Sequence, residues 1–445
     1  MSSAAPSTGP LGAAGGTRTT QPGRRETRTV AVVSVAHGCS HFFHLIIAPL
    51  FPWLKAHFGL SYAELGLLMT VFFVVSGLGQ AAAGFVVDRI GAVPVLLASL
   101  ATFVLAALTL AAAPSYPVLM LGCMLAGLGN APFHPVDYSI LNARIAPARL
   151  GRAYAWHGIS GSLGWAAAPV FLVGLTGLFG WRTAIASAGL LAAAIGVLVW
   201  LHRDLLAGAP VGLLGLARRS PARPGGAPHG APAAGTVDRD PRGSGAAASS
   251  FDFLRLPAVW MSFGFFFTMA VAFGGIQTFG PEAARMLHAV DLRWVALCLT
   301  IYMLSAAAGT LVGGYATTDP AHAERIVAAG YGVAAFVATV LALAPAPAWT
   351  VPALFALMGF GSGTAGPARD LLVRRASPPG ATGRVYGFVY AGLDAGMAIA
   401  PAVFGAMMDR GMPAGVWLGI ALFQALLIAN AMTVARAAGR PAVAA

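Results

Sequence analysis

The chain has 445 residues, of which 58% are hydrophobic and only 9% charged. Soluble domains carry about 25% charged residues, so this composition cannot cover a water-soluble globule of such size and places the chain in lipid. The formal charge of +12 would suit nucleic acid in a soluble protein, but basic charge collects on the cytoplasmic loops of inner-membrane proteins, and no nucleic-acid partner is expected.

Residues 1–29 are rich in Gly, Ser, Thr, Pro and Arg and read as a disordered tail. Arg24-Arg25 and Cys39 loosely resemble an export signal with a lipoprotein site, but the apolar run continues well past the cysteine. A bilayer core of roughly 30 Å needs about 20 apolar residues per helix. Apolar runs of that order fall at Val30 to Leu54, Leu60 to Val87, Ala92 to Ala112, Pro117 to Leu141, Ala153 to Thr176 and Trp181 to Leu201. Residues 203–255 follow, dense in Gly, Pro, Ala and Arg, and read as a cytoplasmic linker. A second set of runs occupies Leu256 to Phe279, Trp294 to Ala316, Ile326 to Leu343, Trp349 to Ala368, Arg384 to Met408 and Ala414 to Ala435. The expectation is an all-α membrane protein of twelve spans in two six-helix bundles, 30–202 and 256–436, with a short tail at 437–445. Such long continuous apolar runs argue against a β-barrel.

With both termini and the linker in the cytoplasm, 22 Lys or Arg lie inside and 5 outside, and this bias sets the expected topology. Cys39, Cys123 and Cys298 all fall within apolar runs and read as small buried hydrophobes. An offset of 232 positions superposes Gly127 on Gly359, Pro135 on Pro367, Gly151-Arg152 on Gly383-Arg384, Tyr154 on Tyr386, Gly164 on Gly396 and Pro169 on Pro401. That register makes the two halves parallel repeats, related by a pseudo-two-fold along the membrane normal, with a site expected between them near the midplane.

Gly84-Phe-Val-Val-Asp88-Arg89-Ile-Gly91, between spans two and three, resembles the cytoplasmic signature loop of the major facilitator superfamily. Phe133-His134-Pro135 and the histidines of span one resemble the fosmidomycin-resistance-type exporters within it. The resemblance implies alternating access by two rocking bundles, a first span that lines the central cavity, and Asp88 set against the start of span eleven near Gly383 and Arg384. The basic residues that usually follow the signature loop are missing at Ala92 to Pro94, the glycine motif of antiporters is only partly present as Gly164 with Ala168-Pro169, and no arginine lies between Pro117 and Leu128.

Ionisable groups in lipid cost several kcal/mol and are seldom kept without a task or a partner. His37, His41 and His44 recur at i, i+4 and i+7, so they share one stripe of span one, with His41 roughly 17 Å into the bilayer. Histidine changes charge between about pH 5 and 8, which suits proton coupling. Asp394 lies roughly 15 Å inside span eleven and is the carboxylate expected deepest in a span. With His134 these residues form the expected substrate and proton site, against the alternative that each only hydrogen-bonds a neighbouring helix. His157 reads more as packing, and Gln80, Asn130, Gln277 and Asn430 as amides that either touch solute or join helices. Asp137 and Arg369 are equivalent under the 232-residue offset and are expected to pair as a gate near the cytoplasmic mouth.

No phosphate-binding glycine loop is present, so an ion or solute gradient is the expected energy source. The expected function is proton-coupled efflux of a drug or metabolite, with proton-coupled uptake as the alternative and a membrane oxidoreductase using the span-one histidines as a remote one. No enzyme activity, cofactor or metal is expected. The expected partners are a small solute, protons and membrane lipid, and the chain is expected to act as a monomer.

Overall fold

The computed structural model describes residues 23–207, 257–316, 323–376 and 382–438, and within these the side chains at 81, 258, 316, 323, 369–376, 382–390 and 434–438 are not described. Most of the expected linker, 208–255, therefore lies outside the described residues, as do most of both tails. In the first half the helices are α1 Arg24–His44, α2 Phe51–Phe58, α3 Tyr62–Ile90, α4 Ala92–Ala112, α5 Tyr116–Asn130, α6 Phe133–Arg144, α7 Pro147–Phe179, α8 Trp181–Leu201 and the single turn α9 Arg203–Leu206. In the second half they are α10 Pro257–Thr278, α11 Gly280–His288, α12 Leu292–Ala316, α13 Ala323–Leu343, α14 Val351–Ala376, α15 Thr382–Asp409 and α16 Pro413–Ala438.

Among the described residues eleven helical segments are long and apolar enough to cross a bilayer. The twelfth span is α14, a 26-residue helix whose Gly359, Gly361, Gly363, Gly366 and Pro367 dilute its hydropathy. Large apolar side chains such as Leu78, Phe85, Leu178 and Leu190 stay more than 70% exposed, which suits lipid and not water. All three cysteines are free and buried.

Helix α1 begins at Arg24, six residues before the apolar run and inside the expected tail. The reason is electrostatic. Glu26 sits in the first turn, where the helix dipole favours a carboxylate, and it pairs with Arg149 of α7 at 2.9 Å.

Spans one and four are interrupted, and a third break closes span seven. Span one stops at His44, passes through a 3-10 turn at Ala48–Leu50 and resumes as α2, whose N1 and N2 positions include Pro52. Span four breaks between Asn130 and Phe133 at Ala131-Pro132, and span seven between Thr278 and Gly280 just before Pro281. Proline lacks an N–H to continue the ladder, so each break sits at or just ahead of one.

The two halves meet where α3 packs on α15 and α7 on α12. Glycines set this closeness: a Cβ on Gly66 would lie 2.2 Å from the Pro401 carbonyl oxygen, and one on Gly405 2.5 Å from that of Tyr62. At one end of the seam the Asp409 carboxylate, at the close of α15, accepts from the N–H groups of Tyr62 at 2.7 Å and Ala63 at 2.8 Å. Ser61 and Glu64 form a capping box on the same terminus, so all of the N–H groups that α3 leaves free at its start are bonded. Tyr62 Oη donates to Glu282 Oε1 at 3.0 Å, and Glu282 holds Arg285 through two bonds of 2.7 and 2.8 Å. That pairing raises the guanidinium of Arg285 above its ordinary range.

In the signature loop, Gly91 joins α3 to α4 at φ +91°, a conformation that favours glycine. Asp88 and Arg89 are exposed, and the side chain of Arg384, their expected neighbour, is outside the described set.

Candidate functional site: a buried histidine network beside a central cavity

Helix α1 crosses α7 at contact distance. A Cβ on Gly164 would lie 2.1 Å from the Gly38 carbonyl oxygen, and one on Gly161 2.7 Å from the His41 ring. Glycine at i and i+3 lets the backbones approach and leaves the remaining space to imidazoles. The stripe expected from the sequence therefore faces α5, α6 and α7.

His37 Nδ1 lies 3.0 Å from Asp137 Oδ2, and His157 Nε2 lies 2.9 Å from the same oxygen. Asp137 is fully buried, and its Oδ1 has no hydrogen-bond partner among the described residues. It lies on α6 just past that helix's first turn, on the C-terminal side of the break in span four. His37 and His157 stack with ring centroids 3.5 Å apart, and His134 lies 5.3 Å from His37.

A buried carboxylate alone is costly, and two neutral imidazoles donating to it still leave one negative charge. One additional proton, held on either ring or on the carboxylate, makes the group neutral. Asp137, His37 and His157 thus have the chemistry to hold a proton between them.

His41 sits one turn further along, 4.4 Å from His37, and neither of its ring nitrogens has a partner among the described residues. His44 ends α1. Its Nε2 lies 3.0 Å from Asn130 Oδ1 and its Nδ1 accepts from Trp165 Nε1–H at 3.3 Å. Asn130, the last residue of α5, also accepts from Ser40 Oγ at 2.5 Å and donates to Ser76 Oγ at 2.7 Å.

Trp165 is the wall between this network and a cavity of about 460 Å³. The cavity is bordered chiefly by Phe266, Phe273, Tyr302, Tyr331 and Gln424 of the second half, with Ser162 and Trp165 of the first. No charged side chain lines it among the described residues.

Ligand atoms of His37, Asp137 and His157 lie within 4.8 Å of one another, close enough to raise metal binding. The two imidazoles stack at 3.5 Å and each directs one ring nitrogen at the same Asp137 oxygen, at 3.0 and 2.9 Å, the spacing of hydrogen bonds to a carboxylate.

The structure thus gathers His37, His41, His44 and His134, and it adds Asp137 and His157, which the sequence reading had set apart as a gate and as packing. Asp137 is bonded inside the first half. The side chain of Arg369, its expected partner, is not among those described. Asp394 stands away from the network, on α15 at the seam, where a Cβ on Gly77 of α3 would lie 3.2 Å from its Cβ. Among the amides, Asn130 joins the network, while Asn430 bonds the Met261 carbonyl at 3.3 Å and Gln277 is buried with neither amide atom paired among the described residues.

The family model described as Major Facilitator Superfamily matches residues 33–401 and 287–443. A multidrug resistance protein B homolog of Mycobacterium tuberculosis is 30% identical over 155 residues, 35% of this chain and 29% of the relative. The fosmidomycin resistance protein of Escherichia coli is 27% identical over 163 residues, 36% of this chain and 39% of the relative. The matches thus span well under half the length of these relatives. A bacterial homolog of the human lysosomal transporter Spinster, solved inward-facing and unoccupied, superposes with a TM-score of 0.68 at 16% identity, covering 94% of this chain and 96% of that one. The nucleoside transporter NupG superposes with a TM-score of 0.68 at 13% identity, covering 93% of this chain and 99% of that one. Twelve spans in two six-helix halves and a family model that runs through both of them make this chain a member of the major facilitator superfamily.

Proposed function

We propose that the chain exports a small solute, a drug or metabolite, in exchange for protons, by alternating access of its two halves. The observation that carries this reading is the continuity of a buried carboxylate and five imidazoles with the wall of the central cavity through Trp165. Relatives named for multidrug and fosmidomycin resistance support efflux as the direction. Asp394, at the moving seam between α3 and α15, is proposed as a second proton-carrying group. The positive-inside bias supports a bacterial inner membrane with both termini in the cytoplasm.

Purified protein in proteoliposomes with an imposed pH gradient tests the reading, with fosmidomycin and the neutral dye N-phenylnaphthylamine as solutes. Exchange drives the solute toward the acidic compartment, because protons leave it. Accumulation on the alkaline side would instead identify cotransport, and transport blind to the gradient would remove protons from the mechanism. Asp394→Asn is expected to abolish gradient-driven accumulation while leaving downhill exchange.

A further inference from the structure

Trp165 touches both parts of the proposed machinery. Its indole N–H reaches His44, its ring lies 4.1 Å from His41 and 5.2 Å from Phe273 of the other half, and it lines the cavity. An indole N–H only donates, so His44 Nδ1 must accept, and the ring is neutral with its hydrogen on Nε2. That hydrogen has its acceptor in Asn130 Oδ1. The amide cannot be flipped, because a donor at that position would leave the imidazole hydrogen with nowhere to point.

A proton arriving on Nδ1 would set two N–H groups head to head at 3.3 Å. One of them must leave, and the indole is the one with free volume behind it. The side chains facing His44 are His41 on its own helix, Phe72 and Phe73 from α3, Asn130 from α5 and Trp165 from α7, while His134 of α6 acts on it electrostatically. The titratable groups around His44 are His37, His41 and His134, and no carboxylate faces it among the described residues.

We propose that Trp165 is a positioning residue that makes a proton on His44 and a solute in the cavity mutually exclusive. A solute packed on its cavity face holds the indole against His44 and keeps that imidazole neutral. A proton on Nδ1 releases the indole into the volume the solute would occupy. The step adds or removes one proton and changes no other covalent bond. It rests on the proton-coupled reading above and gives that reading its sign, exchange.

The test uses neither solute nor gradient. The chain has nine tryptophans, and replacing the other eight with phenylalanine leaves Trp165 as the reporter. In detergent, its emission is expected to shift as the pH is lowered from about 8 through and below the range in which exposed histidine titrates. His44→Gln accepts from the indole and donates to Asn130 as the neutral ring does, and it is expected to abolish the shift, whereas His41→Gln retains it. An emission independent of pH, or a shift that survives His44→Gln, overturns the proposal. Should the eight-fold variant not fold, the difference spectrum between the native chain and Trp165→Phe reports the same residue and carries the same two outcomes. Because transport is not measured, failure here is distinct from failure of the proteoliposome experiment.

Discussion

At Asp137 one carboxylate oxygen takes hydrogen bonds from two imidazoles while the other has none among the described residues. Asp137→Asn keeps the shape but replaces an acceptor-only, chargeable group by one that cannot hold or release a proton. Hydrogen bonds to a charged group contribute roughly 1.5–3 kcal/mol each, so the variant is expected to lose about that much stability and all gradient-driven accumulation. Thermal unfolding in detergent reads the first effect and proteoliposome uptake the second. Gly161→Ala makes a steric test of the same site. Its new Cβ would press on the His41 ring from 2.7 Å and lie 3.1 Å from His37 Nε2. Transport is expected to fall several-fold with helix content unchanged by circular dichroism, since the imidazoles must turn to make room. The span-one stripe was legible because spacing of three and four is a property of one helix. The partnership of Asp137 with His37 and His157 crosses 100 and 20 residues, and no periodicity reports which helices cross. That is why the bonds of Asp137 to these imidazoles could not be read from the sequence.

Among the helices, the crossing of α1 on α7 fixes where the network sits. A Cβ at Gly164 would meet the Gly38 carbonyl oxygen at 2.1 Å, whereas at Gly174, on the same helix, nothing lies within 4 Å. Gly164→Ala is therefore expected to cost about 1–3 kcal/mol by overpacking. Gly174→Ala is expected to be neutral or stabilising by up to about 1 kcal/mol, because alanine is the better helix former. Unfolding midpoints of the two variants, compared in one detergent, check the contrast. The breaks in spans one and four were present in the sequence as Pro49, Pro52, Pro132 and Pro135, but hydropathy averages across such residues and returns one continuous run. The breaks matter because they place the end of α1 and the start of α6 inside the membrane, with His44 at the first and Asp137 near the second. The repeat is imperfect at the same point: span four is interrupted where α14, its equivalent, runs unbroken through Pro367. The five histidines of the network all lie in the first half.

For the whole molecule, twelve spans and two repeats could be read from hydropathy and from the 232-residue register, since both are properties of the chain in one dimension. The seam between the halves could not, because its contacts join residues from 134 to 347 positions apart. Asp409 bonds α3 across 347 and 346 positions and closes that end of the molecule by capping a helix of the other half. A cap is worth about 0.5–2 kcal/mol, and alternating access requires that this one be broken whenever the seam opens. Asp409→Ala removes the cap without touching the cavity or the histidine network, so it is expected to favour the open seam by about 1 kcal/mol, roughly fivefold in population. Gln277 lies 2% exposed behind the same contacts, close to Glu282 and Pro169. A cysteine placed there by Gln277→Cys should react with a water-soluble maleimide about fivefold faster in the Asp409→Ala background. Equal labelling rates in the two backgrounds would mean that the Asp409 cap does not hold the seam closed, leaving Tyr62, Glu282 and Arg285 to do so.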